Sequence, residues 1–445
     1  MTDAADSPRP RASLPRAVAT SRITLWAAFI GVHFWLGMLN LFGPGFPIGD
    51  VTLVYKFWTD QALIADYWVG VDGVWVYPVV AIVPMLAAFA LGPSLYASTW
   101  LTLVMLLDAV AFAAITGWLR SKQRPAIAWW WLAFLALLGP IALSRIDSVT
   151  VPLAIVGMLL LATRPRTAAV VLAVATWIKV WPAALLAAIV IAGRERITVV
   201  RVALFTSAGI VAVALAFGSG ANVFSFITQQ TGRGLQVEAP VTTPWLWRAA
   251  SGAADTVVYY DTDILTFQVQ GPNVGVVAAV MTPLLALAAL AVLALGLRAV
   301  HRGAASTALL APLALALVAT LIAVNKVGSP QFIGWLAVPV VYGLAVQGRA
   351  FRTPALIALV LAGLTQAVYP YLYNDLLSLE GGMLVVLTAR NLLLFVLLAW
   401  AVRSLVRIGR RPASPRRDNG GGHDDVDVLS PVESRNDGPD PSQQQ

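Results

Sequence analysis

The chain has 445 residues, of which 59% are hydrophobic and 12% charged, and its mean hydropathy is +0.77. A soluble domain carries about 25% charged residues, so this composition excludes a soluble enzyme and points to an integral membrane protein. With no cysteine and three scattered histidines (His33, His301, His423), disulfides and thiolate metal sites are excluded and no metal or other cofactor is expected.

The net charge of +8 would suit nucleic acid, but the basic residues fall in short clusters between apolar runs. That is the pattern of cytoplasmic loops, so the expected partner is a lipid bilayer and not nucleic acid. The runs are about 20 residues long, enough to cross the hydrocarbon core as helices, whereas a barrel would show short alternating segments.

Residues 1–22 contain Arg9, Arg11, Arg16 and Arg22 and are expected in the cytoplasm. The first span, 23–42, reads as an uncleaved anchor, because the run is long and lacks a small-residue cleavage site. The first outer loop, 43–94, follows, with Asp50, Asp60, Asp66, Asp72 and Lys56. Within it Thr52–Ile64 has helical spacing and is expected as a surface helix. The apolar piece from Tyr77 to Leu91 holds Pro78 and Pro84. Were it to span, the basic loop at Arg120, Lys122 and Arg124 would fall outside, so a re-entrant or surface element is expected.

Further spans are expected at 95–119, 125–143 and 148–163, with two short helices in 167–193 that turn at Lys179-Val-Trp-Pro182. One more at 199–217 leads to a second outer loop, 218–272. The last spans are expected near 273–297, 305–324, 333–347, 354–372 and 382–402. The expectation is an all-α polytopic membrane protein of about twelve transmembrane helices, with both termini cytoplasmic, a membrane body at 23–402, and a disordered cytoplasmic tail at 409–445 rich in Pro, Gly, Asp and Gln.

Under this topology 23 of the 30 Lys and Arg lie in cytoplasmic segments. The exceptions are Lys56, Arg145, Lys179, Arg233, Arg248, Lys326 and Arg390. Cations there need compensation, either from outer acids or from a bound anion such as phosphate. Arg145 and Asp147 stand at a helix end and read either as a local ion pair or as site residues. Lys179 lies between Trp177 and Trp181, which favours a functional role. Arg390, next to Asn391, either belongs to the site or snorkels outward. Lys56 reads as a surface charge, and Asp108 as a buried structural partner.

Two polar stretches read as sites. Gln229–Glu238 combines amides, glycines, Arg233, Gln236 and Glu238; glycine lets backbone approach a ligand, and Arg and Gln supply donors for sugar or phosphate oxygens. Asn325–Phe332 holds Asn325, Lys326, Ser329 and Gln331 at a helix break, more polar chemistry than a turn requires.

These pieces occur in one order: Gly49-Asp50-Val-Thr-Leu-Val-Tyr55, Tyr77-Pro78, Ala175-Thr-Trp-Ile-Lys179-Val-Trp-Pro182, Gly232–Glu238 and Asn325–Gln331. The ordered set, covering about 23–402, resembles glycosyltransferase family 87, the polyprenyl-phosphate-sugar-dependent transferases of the C-type membrane superfamily. The family's first loop often reads Asp-x3-Tyr and later Tyr-Pro-Pro; here the spacing is Asp-x4-Tyr and Val79 replaces the second proline.

The resemblance implies a C-type glycosyltransferase architecture with outer-face surface helices. It also implies a polyprenyl-phosphate-linked sugar donor (by family, mannose), a glycolipid or glycan acceptor, and an active site on the extracytoplasmic face of the cell membrane. It implies a catalytic aspartate, for which Asp50 is the match. The donor-binding residues are then Lys179, Arg233, Gln236, Glu238, Lys326, Gln331 and Arg390, supported by Tyr55, Tyr77, Arg145, Asp147 and Asn325. Phosphate leaves once its charge is held, and Asp50 as general base would deprotonate the attacking hydroxyl in an inverting displacement. Trp58, Trp75, Trp245 and Trp247 are candidates for stacking on sugar rings or for interfacial anchoring. The rival reading is a transporter or flippase of lipid-linked sugars, with Asp108 as its midplane charge.

Overall fold

The computed structural model describes residues 18–117, 124–229 and 232–410. Arg9, Arg11, Arg16, Arg120, Lys122, Gln230, Thr231 and the tail from 411 onward lie outside the described residues.

Helix α1 (Arg22–Phe42) buries Leu25, Phe29, His33, Leu36 and Asn40. Their spacing of three and four makes one inward stripe, while Ile30, Phe34 and Trp35 stay exposed. A helix apolar all round but packed on one side only suits a lipid environment. His33 would be costly there alone; its Nε2 lies 3.1 Å from Asp108 Oδ2 and its Nδ1 2.9 Å from the Phe29 carbonyl. Asp108 is thus the buried structural partner expected of it.

After α1 a π-helical turn, Asp50–Tyr55, runs into α2 (Lys56–Ile64). Val51, Tyr55, Thr59 and Ala62 are buried on one face. Lys56 Nζ pairs with Asp60 at 2.6 Å, the i,i+4 surface contact that assigns it no site role. The piece after Tyr77 contains only a short 3₁₀ turn and α3 (Ile82–Ala87). At six residues α3 reaches about 9 Å, far short of a bilayer.

The body then continues through α4 (Tyr96–Ile115), α5 (Pro125–Leu138), α6 (Asp147–Leu160), α7 (Pro165–Ile178), α8 (Ala183–Ala192) and α9 (Arg196–Ala216). The long segment after α9 holds α10 (Ser225–Thr228), α11 (Thr243–Ala250) and an antiparallel hairpin, β1 (Val257–Asp261) and β2 (Thr266–Gln270), with Val257 opposite Gln270. The hairpin was not expected from the sequence; its alternation is short, and both Tyr259 and Tyr260, on its two faces, are exposed.

Next come α12 (Val274–His301), α13 (Ser306–Ala323), α14 (Ala337–Gln347), α15 (Arg352–Gln366), α16 (Tyr373–Leu377) and α17 (Gly381–Arg410). Helix α13 is the centre of the bundle: fourteen of its eighteen residues are buried, and it packs against α8, α12, α14 and α17. By contrast α9, equally apolar, buries only Val199 and Ala214, so its surroundings must be hydrocarbon.

Among the described residues eight helical stretches are long and apolar enough to cross a membrane: Arg22–Phe42, Pro93–Ile115, Pro125–Ala142, Arg196–Ala216, Val274–His301, Ser306–Ala323, Pro330–Tyr371 and Gly381–Arg410. The chain is a helical multi-pass membrane protein. The count differs from the expected twelve because α6, α7 and α8 are short, and because Pro330–Tyr371 runs through two expected spans. The expected tail boundary also moves: α17 continues past 402 and keeps 409 and 410 helical, with Gly409 buried against Ala299.

Candidate active site

The segment after α1 and the start of α6 meet directly. Arg145 Nε lies 3.0 Å from Asp50 Oδ2. The same guanidinium donates to the Pro47 carbonyl (2.6 Å), the Ser144 carbonyl (2.8 Å) and Tyr369 Oη (2.9 Å). One residue on, the Ile146 amide donates to Tyr55 Oη at 3.0 Å. Asp50 and Tyr55 therefore face the same two-residue segment although they are five apart. An α-helix turns residues five apart by about 140°, whereas the i→i+5 bonding of a π-helix stacks them. The π-turn accommodates the Asp-x4-Tyr spacing.

Asp147 does not pair with Arg145, as a local ion pair would require. Its Oδ1 accepts from Trp335 Nε1 at 2.7 Å, and its Oδ2 lies 3.5 Å from Lys179 Nζ. Lys179 ends α7, and its ammonium sits over the Tyr77 ring at 4.7 Å and the Phe332 ring at 5.8 Å. Tyr77 packs edge-on to Tyr55. Trp181 stacks on Trp335, and Trp335 on Phe332, so aromatic surface closes the floor around the pair. Gln331 lines a crevice beneath it with Asp147, Ser148 and, farther in, Asp108.

The segment between α9 and α12 supplies further charged groups. Arg233 is close enough to repel both Lys179 and Lys326, and to be drawn to Tyr77. Burial pushes the Arg233 guanidinium down, with Tyr77 opposing; burial and then Arg233 push the Lys326 ammonium down. Glu238, only 4% exposed, has its carboxyl pushed up to about 7 by burial, with Arg390 and Arg145 partly opposing. Arg390 does not snorkel: it is 2% exposed and donates to the Glu238 carbonyl and Asn391 Oδ1, both at 3.0 Å.

Most of the expected residues therefore converge: Asp50, Tyr55, Tyr77, Arg145, Asp147, Lys179, Arg233, Gln236, Glu238, Lys326 and Arg390, with Gln331 at the base. Asn325 does not join them. Its Nδ2 donates to the Leu321 carbonyl and its Oδ1 accepts from the Val327 amide, which makes it the stop of α13. Of the tryptophans that were candidates for stacking or anchoring, Trp75 is buried and Trp247 is exposed. Trp75 is buried against Trp58 and Tyr77, while Trp245 and Trp247 spend their indole N–H on Pro272 and Thr388. Sequence reading missed Tyr369, Tyr373, Trp335 and Phe332; an available signal was that Tyr369-Pro370 repeats the Tyr77-Pro78 pattern.

Among these carboxylates exposure separates the roles. The Asp50 side chain is 43% exposed and that of Asp147 3%. Of these, Asp50 is both accessible and held in place by a guanidinium. No three or more His, Cys, Asp or Glu among the described residues group as metal ligands.

No family model, curated protein or solved structure matches the chain.

Proposed function

We propose that the chain is a membrane glycosyltransferase that moves a sugar, mannose by resemblance to family 87, from a polyprenyl-phosphate donor to a glycolipid or glycan acceptor outside the cytoplasm. The observation that carries this reading is an accessible carboxylate, Asp50, beside a partly buried set of mutually repelling cations, Lys179, Arg233 and Lys326. Lys179 already faces Asp147, and a phosphate placed by these three side chains would meet charged donors from each of them.

The short helices support the same reading. Counting α6, α7 and α8 and dividing Pro330–Tyr371 at residues 348–351 gives the twelve crossings of a C-type architecture. Helices α6 and α7 have 14 residues each and α14 has 11, about 21, 21 and 16 Å at 1.5 Å per residue, well short of a bilayer core of roughly 30 Å. With Arg164, Arg166 and Arg349 at the cytoplasmic surface, Asp147, Lys179 and Trp335 form the floor of a funnel that opens outward. A lipid donor enters such a funnel sideways with its phosphate near headgroup level.

In the reaction the acceptor oxygen attacks the anomeric carbon as the bond from that carbon to the phosphate oxygen breaks. The acceptor proton passes to Asp50, and the bonding electrons leave with polyprenyl phosphate. Lys179, Arg233 and Lys326 hold the charge that develops on the leaving phosphate. Arg145 fixes the carboxylate through a guanidinium itself fixed by Pro47, Ser144 and Tyr369. The transport reading loses its midplane charge, because Asp108 is bonded to His33 and 2% exposed.

The test is an assay of the purified chain with polyprenyl-phosphate-mannose and a panel of glycolipid acceptors. New glycosidic bonds, abolished by Asp50→Asn, are expected. Donor binding or flipping with no transfer to any acceptor would overturn the assignment.

A further inference from the structure

Within the Gly232–Glu238 segment three buried polar atoms have no hydrogen-bond partner among the described residues: Arg233 Nε, Gln236 Nε2 and Glu238 Oε2. The last two belong to side chains 3% and 4% exposed. Leaving such a group buried and unpaired is costly, because its desolvation is not repaid. Native proteins leave few of them, so three in seven residues call for a physical reason.

The backbone gives these side chains no way out. The Gln236 amide donates to the Lys326 carbonyl at 3.1 Å, the Val237 amide to the Phe267 carbonyl at 3.1 Å, and Thr242 Oγ1 to the Gln236 carbonyl at 2.8 Å. Arg390 donates to the Glu238 carbonyl. Gly328 lies so close to the Glu238 and Ala239 backbone that a Cβ on it would clash. The β1–β2 hairpin, through Phe267, and the break after α13, through Lys326, clamp the strip from two sides. The side chains are held ready, as a binding site requires.

We propose that Gln236 and Glu238 form a subsite that reads hydroxyl groups of the transferred sugar, separate from the cations that hold its phosphate; this rests on the glycosyltransferase reading above. The donor set identifies the ligand. An amide N–H needs an acceptor and a carboxylate oxygen needs a donor. A hydroxyl is both, so neighbouring hydroxyls of a neutral sugar satisfy the pair together. A phosphate would satisfy the amide but brings no donor for the carboxyl oxygen. The position agrees, since Arg145, which holds Asp50 at 3.0 Å, is also near enough to act on Glu238. Arg390 and Tyr373 are the charged and titratable groups on its far side.

The experiment measures binding of two lipids to the full chain in nanodiscs: polyprenyl phosphate carrying mannose, glucose or galactose, and bare polyprenyl phosphate. Glu238→Gln and Gln236→Met, both close in volume to the native side chains, are compared with wild type after thermal melting shows them folded. The expected result is a loss of affinity for the sugar-bearing lipid of about tenfold, from one lost hydrogen bond, with bare polyprenyl phosphate bound as by wild type. Equal loss for both lipids would mean a structural role for the strip and overturn the subsite, as would no loss for either. If wild type binds no polyprenyl phosphate at all, the glycosyltransferase reading itself fails, and the subsite with it. A wild type that binds both lipids equally sinks the subsite alone.

Discussion

Asp50 and Arg145 meet at 3.0 Å, and the guanidinium that holds the carboxylate is itself tied to two backbone carbonyls and to Tyr369. The carboxylate is therefore positioned from three parts of the chain: the loop after α1, the start of α6 and the break after α15. Asp50→Asn leaves Arg145 its other three partners, so the fold should survive. Transfer should fall by roughly a hundredfold or more, the usual share of a general base. Turnover per folded molecule, against wild type, checks this.

Arg145→Lys tests positioning instead of proton transfer. Lysine keeps the charge but cannot reproduce the fork that reaches Asp50, Pro47 and Tyr369 at once. The expected outcome is a lower kcat with donor KM nearly unchanged. A change confined to KM would place Arg145 on the donor.

The Asp147–Lys179 pair is buried on one side by the Trp181, Trp335 and Phe332 stack. Lys179→Met strands a buried carboxylate and should destabilise the protein by about 3 kcal/mol or more. Adding Asp147→Leu should recover much of that stability without recovering activity, because the phosphate still lacks a cation. Melting and turnover of the single and double variants separate the two effects.

Glu238 gives a pH signature. Its carboxyl is pushed up from 4.5 to about 7 by burial, against Arg390 and Arg145. A raised carboxyl keeps its proton in the folded state after the unfolded chain has lost it. Its contribution to stability is full below pH 4.5 and is lost as pH rises through about 7. Glu238→Gln should flatten that part of the melting-temperature profile between pH 5 and 8 while leaving other pH dependence in place.

Gly328→Ala should be more damaging than its chemistry suggests, because the added carbon meets the Glu238–Ala239 backbone. Displacing that strip should cost both melting temperature and donor affinity. Gly275→Ala, at a position with open space around it, should change neither.

Much of this site was readable before any coordinates. Chemistry-bearing residues such as Lys179, Arg233 and Lys326 stand out in an apolar chain because polar groups there are costly and so few. What remained ambiguous was partnership. Arg145 and Asp147, two residues apart, read equally as a local pair or as site residues, and each meets a different distant group, Asp50 for one and Lys179 with Trp335 for the other. Tyr369 and Trp335 carried no charge to mark them, and the short β1–β2 alternation did not stand out among turn residues.

The sequence by itself determined the class of the molecule: long apolar runs and segregated cations leave a chain little choice but to cross a membrane, because solvation free energy depends on composition and order alone. Only the tertiary structure decided which carboxylate is reachable and which are buried. Exposure and pairing come from segments far apart in the chain closing on one another, and neither spacing nor composition encodes that closure.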